Sequence, residues 1–423
     1  MTKKRPSLLI QIPTDQIQLV FSFISLRELS SLSLCCKNVY RMIEFSHYLA
    51  SHDPSSLPKD DKENLRRSLP NLLNADPISS HKFGRSVFSR TDLTVTRLAH
   101  CLNKFLHLRT VKLYKLEHMG DKFLAIINAS AMKHTLTHLE LHNVRIVKDG
   151  HCLMVPCDRL SHVEVKGTLF CTYKVLKSFT NSRNLQVLRL SGCRALLDVD
   201  VKDIIQRQNK LQELQLKDCS KLMAPEIDCP SLKVLNFERC NMLKDLHMIK
   251  CDNLIHVDLS HCPAFGNDDI KEFLKHNEKI EILSLQGCRG FTEIDIQSEY
   301  LREINLGMCM RMRKCKIVAR SLTSLEVGMC IKLEALYLDL DIILSLDLSM
   351  LAMKNLSISA PDALTLNISG CCKLVTMERF HCPKLMELDI CGTDLSSKTF
   401  EVSKKTRIKS GGEATDWSNP FRR

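Results

Sequence analysis

Twenty cysteines and sixteen histidines are the chain's candidates for metal, redox or nucleophilic chemistry. Their spacing argues against all three. No C-x-x-C pair occurs, and neither Cys371-Cys372 nor Cys309 with Cys315 has the spacing of a zinc site. There is no Gly-rich phosphate loop, no H-E-x-x-H and no nucleophile elbow. Cys193, Cys219, Cys240, Cys262, Cys288, Cys309, Cys330 and Cys371 instead recur at one position of a repeating frame. Cysteines stacked in that way are small buried residues whose thiols donate weak hydrogen bonds to backbone, and they are expected to be reduced. His138, His162 and His256 fall on strands with no acid or thiolate set repeating beside them, so they read as ordinary strand histidines. Metal ligands: none; cofactors: none; catalytic residues: none.

The frame that places these residues is clearest from Leu301 to Leu333. Leu301, Ile304 and Leu306 precede Cys309, and Leu322, Leu325 and Val327 precede Cys330, giving L-x-x-L-x-L-x-x-C. The alternating x-L-x-L-x part is a short strand with one buried face. One turn cannot bury that face, but stacked turns can, so the motif implies an array of the leucine-rich-repeat kind. Frames open near Leu108, Leu136, Leu160, Leu185, Leu211, Leu232, Leu254, Ile280, Leu301, Leu322, Ile343, Ala363 and Leu385. The longer early steps leave room for a helix behind the strand, over Val201–Ile205 and over Asp269–Leu274 with Asn267 or Asp268 as N-cap. The later steps are too short for a helix and two turns, so their backs are read as extended or single-turn segments. The fold class is α/β: a small helical domain, then a curved solenoid of about thirteen repeats, helix-backed in its first half.

Composition bounds the rest. The net charge is +12, partly from the ends, and no basic cluster is interleaved with aromatics, which argues against a nucleic-acid partner. No apolar run approaches the roughly 20 residues that span a bilayer. Lys3-Lys4-Arg5 is followed by too short an apolar stretch for a secretory signal. A reducing compartment, cytoplasmic and/or nuclear, is expected. The domains read as 9–50 helical, 51–90 a linker with a short helix, 91–402 solenoid, and 403–423 a disordered basic tail.

Residues 9–50 stand apart from the repeats. Ile12-Pro13, Asp15, and an apolar face through Ile17, Val20, Phe21 and Ile24 suggest a first helix. Ser25-Leu26-Arg27-Glu28 is a capping box before a second helix, and Cys36-Lys37 and Val39–Ile43 follow. Three short helices make a core so small that a partner or neighbour is needed to complete it. This stretch, IPTDQIQLVFSFISLRELSSLSLCCKNVYRMI, resembles an F-box, with Gln16, Leu19 and Val39 departing from the usual pattern. Together with the repeats, the chain resembles the F-box/leucine-rich-repeat proteins. That resemblance implies a non-catalytic substrate receptor of a Skp–cullin–F-box ubiquitin ligase. Ile12, Pro13, Ile17, Val20, Phe21, Leu29 and Leu32 would contact the Skp adaptor, which brings cullin and a RING protein. A solenoid scaffold for protein interactions, outside any ligase, is the alternative.

Strand alternation points two residues of each frame outward, to the expected concave face. In the last seven frames these are His256/Asp258, Ile282/Ser284, Glu303/Asn305, Ser324/Glu326, Ser345/Asp347, Thr365/Asn367 and Glu387/Asp389. The set holds six carboxylates and no Lys or Arg. Met308, Met329 and Met350 recur beside it as an apolar ridge. The substrate site is therefore expected at Asp258, Glu303, Asn305, Glu326, Asp347, Asn367, Asp389 and the three methionines, taking a protein substrate with a basic segment.

Overall fold

Short stretches with alternating apolar residues form strands wherever the frame predicts one and the chain is described. The computed structural model describes residues 110–114, 131–134, 136–142, 157–167, 182–395, 400 and 402–411. The F-box-like segment 9–50, all its adaptor-contact residues, the linker 51–90 and the first residues of the solenoid lie outside these ranges. The chain divides into two units, Met1–Arg189 and Leu190–Arg423.

In the first unit the strands Thr110–Tyr114, His138–His142 and His162–Lys166 are parallel and in register, residue on equivalent residue. Leu136, Leu139, Leu141, Leu160, Val163 and Val165 are buried. His138 and His162 stack with ring centroids 4.1 Å apart, and Thr137 and Ser161 hydroxyls lie 2.8 Å from their Nδ1 atoms. The two histidines are thus satisfied within the ladder, as ordinary strand residues. The strand Val187–Ser191 crosses the division between the units.

The second unit is a parallel β-solenoid with few helices. Its front strands begin with Glu213–Gln215, Val234–Asn236, His256–Asp258, Ile282–Ser284, Glu303–Asn305 and Ser324–Glu326, each paired in register with the next. Ser345–Asp347, Thr365–Asn367 and Glu387–Asp389 continue as a separate ladder. The back of the later turns is a second parallel sheet, Glu293–Ser298, Lys314–Ala319, Ala335–Leu340, Asn355–Ser359 and Thr376–His381. The residues between one frame and the next, Met310 to Ser321 for example, are too few for a helix and two turns, so the chain pairs its backbone with the turns before and after instead.

Among the described residues two α-helices occur, Asp198–Ile205 and Asn267–His276, at the two places the longer steps allow. The expected N-cap differs. Asn267 is already inside the second helix, and Gly266 occupies the cap position. Asp269, three residues on, accepts the Gly266 N–H at 2.7 Å, just as Asp200 accepts the Leu197 N–H at 2.8 Å. A carboxylate in the first turn also suits the helix dipole.

The tail expected to be disordered from residue 403 is not so throughout. Arg407–Lys409 adds a parallel strand to Glu387–Asp389. Thr406 Oγ1 donates to Leu385 O at 2.6 Å, and Lys409 Nζ lies 3.7 Å from Glu387 Oε2. A single apolar residue, Ile408, was too weak a pattern to read as a frame, yet it covers an otherwise open sheet edge with a charged strand.

The core is mostly aliphatic, interleaved with the buried cysteines, and Phe237, Phe265, Phe273 and Phe291 are fully buried in it. Each buried leucine contributes about 1.5–3 kcal/mol, so three-residue strands that would be marginal alone persist by stacking. No helix among the described residues is long and apolar enough to cross a membrane.

Candidate interaction surface

The cysteine column is built as the frame requires. Cys240, Cys262, Cys288, Cys309, Cys330 and Cys371 are buried, and each thiol donates to a carbonyl of the preceding turn at 2.9–3.2 Å. The acceptors are Leu216, Phe237, Leu259, Leu285, Leu306 and Leu348. Burial pushes the Cys288 and Cys371 thiols up to about 12, far above neutral pH, so they stay protonated donors. All the described cysteines are free thiols.

A second buried column escaped the sequence reading. Three residues before the frame's first apolar position stand Ser182, Gln208, Cys229, Cys251, Asn277, Ala319, Ala360 and Cys382, all buried. The chain bends there from back to front, and small or hydrogen-bonding residues fit the bend. Backbone turns closed by N–H donation from the frame residue to the column carbonyl recur at Cys157, Cys229, Cys251, Ala360 and Cys382.

The outward acids are on one face, as the alternation predicts, but much of their column has a second role. Asp258, Asn305, Glu326, Asp347, Asn367 and Asp389 each accept the backbone N–H two residues further on, at 2.8–3.0 Å. These turns steer the chain out of the strand. The sequence signal was the mixture of Asp with Asn at one position, since a pure charge ladder has no use for asparagine. Glu303, Glu326 and Asp347 remain exposed, and Glu387 pairs with Lys409.

One position before the cysteine column the backbone turns left-handed. Gly192, Gly287 and Gly370 have φ of +69 to +72°, and Asp218, Arg239, His261, Met308, Met329 and Met350 have φ of +54 to +62°. Glycine takes this conformation without strain; methionine does not. Met329 and Met350 are nevertheless exposed, and Met308 is half-buried. Met329→Gly is expected to raise stability by about 0.5–1 kcal/mol, the strain relieved less the entropy glycine adds to the unfolded chain. An unchanged or lowered denaturation midpoint would show that the Met329 side chain supports the fold.

A polar cluster outside the front face was also invisible in sequence. Asp245, His247 and Asp269 place one ligand atom each within 4.8 Å of the others. His247 Nδ1 is 2.6 Å from Asp245 Oδ1 and 3.8 Å from Asp269 Oδ1. Its geometry is that of an ion pair: the hydrogen bond to Asp245 raises the His247 pKa, and the His247 backbone N–H lowers that of Asp245. The contribution of His247 to stability is therefore full below the ordinary histidine value and fades as pH rises through the raised folded value. An NMR titration should find His247 above a free histidine in the native protein, and Asp245→Asn should lower it, with Asp269 still holding it up in part.

No family profile matches the chain. A curated relative, the SCF E3 ubiquitin ligase complex F-box protein pof2 of Schizosaccharomyces pombe, is 24% identical over 172 residues, 32% of this chain and 36% of the relative. The chain thus spans about a third of the length of the curated relative it matches. Among solved structures, a chain in the crystal structure of the Rad7 and Elc1 complex in yeast shares 14% identity, with 96% of this chain and 98% of that chain covered. Its TM-score of 0.32 is too low to carry an argument. The likeness to an F-box protein is weak, and it points to an F-box or repeat protein.

Proposed function

We propose that this protein is the substrate-recognition subunit of a Skp–cullin–F-box ubiquitin ligase, and that it performs no catalysis itself. The observation that carries the reading is the F-box-like run Ile12–Ile43 joined to a chain whose later part is a parallel solenoid. The weak likeness to a fission-yeast F-box protein of an SCF complex supports it. In this reading Ile12, Pro13, Ile17, Val20, Phe21, Leu29 and Leu32 dock on the Skp adaptor, and cullin, RING protein and conjugating enzyme come with it. The solenoid's front face holds the substrate protein. Buried, protonated thiols suit that division, because they supply structure and no nucleophile.

Purification of the tagged protein from nuclease-treated lysate, with the proteasome blocked, tests the reading. Recovery of a Skp adaptor with a cullin, and of proteins that accumulate only under the block, is expected. Recovery of neither, with other proteins bound to the solenoid, would instead make the chain a scaffold.

A further inference from the structure

The front ladder is broken at one step. On either side of the break each turn repeats two backbone hydrogen bonds to the next. The residue after the strand donates once and the left-handed residue donates again. Leu285 and Gly287 donate to Asn305 and Gly307, Leu306 and Met308 to Glu326 and Gly328, and Leu348 and Met350 to Asn367 and Ser369. Among the described residues Val327 and Met329 make no such donation, and Ser324–Glu326 and Ser345–Asp347 belong to different sheets. The back strands on both sides stay paired, Lys314–Ala319 with Ala335–Leu340 and that strand with Asn355–Ser359. The opening is confined to the front.

Three independent features gather at this seam. Leu325 sits at the frame position that is buried in every other front strand from Leu214 to Leu388, yet it is only half-buried. Ile342 and Leu344 at the entry of the front strands, and Met329, Ile331 and Met350 at their exit, are 43–62% exposed. Met329 and Met350 occupy left-handed positions that Gly287 and Gly370 take in other turns, and both side chains stay exposed. Between the two apolar ends stand the exposed Glu326 and Asp347, and no Lys or Arg occupies an outward front-strand position from His256 to Asp389.

We infer that this seam is the docking site for an extended segment of another protein, with apolar side chains at its two ends and Lys or Arg between them. The inference rests on the receptor reading above, and it names the class of substrate segment. Unpaired backbone edges favour an extended chain, because they can pair with its peptide groups. The apolar ends match Ile342 with Leu344 and Met329 with Met350, and the two carboxylates select the cation between them.

The test is fluorescence anisotropy of the full chain with a labelled peptide, acetyl-Gly-Leu-Ser-Lys-Ser-Lys-Ser-Leu-Gly-amide, and the same peptide with glutamate for lysine. Only the lysine peptide is expected to bind, with affinity falling at least tenfold from 50 to 500 mM salt. Glu326→Lys with Asp347→Lys should remove binding. Met329→Gly should weaken it about tenfold, although that change relieves the backbone and leaves the fold intact. Equal binding of both peptides, unchanged binding by the double reversal, or dimerisation of the chain through this face would overturn the proposal. The same double variant is expected to recover a Skp adaptor at the wild-type level. Peptide binding without adaptor recovery by the wild-type chain would sink the receptor reading and leave the seam standing.

Discussion

Pro13→Ala together with Phe21→Ala is expected to abolish recovery of a Skp adaptor while the solenoid stays folded. The expectation follows from size and from the F-box resemblance. A helical unit of about forty residues, which is what the sequence predicts for 9–50, cannot bury enough apolar surface to be stable without help, so in the proposed reading its apolar residues would serve the interface as much as the core. A fully buried aromatic contributes several kcal/mol at such an interface, and proline at the head of a helix fixes the backbone before binding. Losing both should weaken the complex by more than 100-fold, beyond recovery in a pull-down. Circular dichroism and thermal unfolding of the solenoid should not change, because repeat arrays couple only neighbouring turns. Adaptor recovery at the wild-type level would mean that Ile12–Ile43 is a cap on the solenoid and not a docking module.

What was legible in the sequence was whatever follows from periodicity. Each described frame from Leu136 onward carries its strand, both foreseen helices form, and the short late steps form extended backs. The thiol column was legible because eight cysteines at one position cannot be accidental. Other features were not, and three of them show why. Asp347 reads as charge, but one of its carboxylate oxygens closes a turn on Ser349, and the letter is the same for both uses. Met329 gives no sign of a left-handed backbone; only Gly192, Gly287 and Gly370 in the same column hinted at it. The break after Ser324–Glu326 has no local sequence signature, since LTSLEVGMC fits the frame as well as LREINLGMC does. A ladder is a relation between two turns, and periodicity in one chain records each turn separately.

Asn277→Ala is expected to destabilise the second unit by about 2–4 kcal/mol, the cost of leaving two buried backbone groups without partners. Asn277 is 2% exposed and ends the helix Asn267–His276. Its Oδ1 accepts the Cys251 N–H at 2.9 Å, and its Nδ2 donates to Ile249 O at 3.0 Å and to Phe273 O at 2.8 Å. Phe273 O keeps the Asn277 backbone N–H after the substitution, so its loss is small. Cys251 N–H and Ile249 O, both on buried residues, lose their side-chain partner. The same column tolerates Cys229, Cys251, Ala360 and Cys382 elsewhere, so the position does not demand asparagine for its shape. What differs is the turn behind it: a helix must be joined to a short back strand, Ile249–Lys250, and one amide reaches both. Asn277→Cys, which keeps only a weak donor and a weak acceptor, should fall between wild type and alanine. Because the array transmits stress only to adjacent turns, hydrogen exchange should quicken over residues 249–285 and stay unchanged over 355–390. Uniform quickening across the unit would mean that the solenoid opens as one cooperative body, and an alanine variant as stable as wild type would mean that the amide is not what ties the helix to the turn before it.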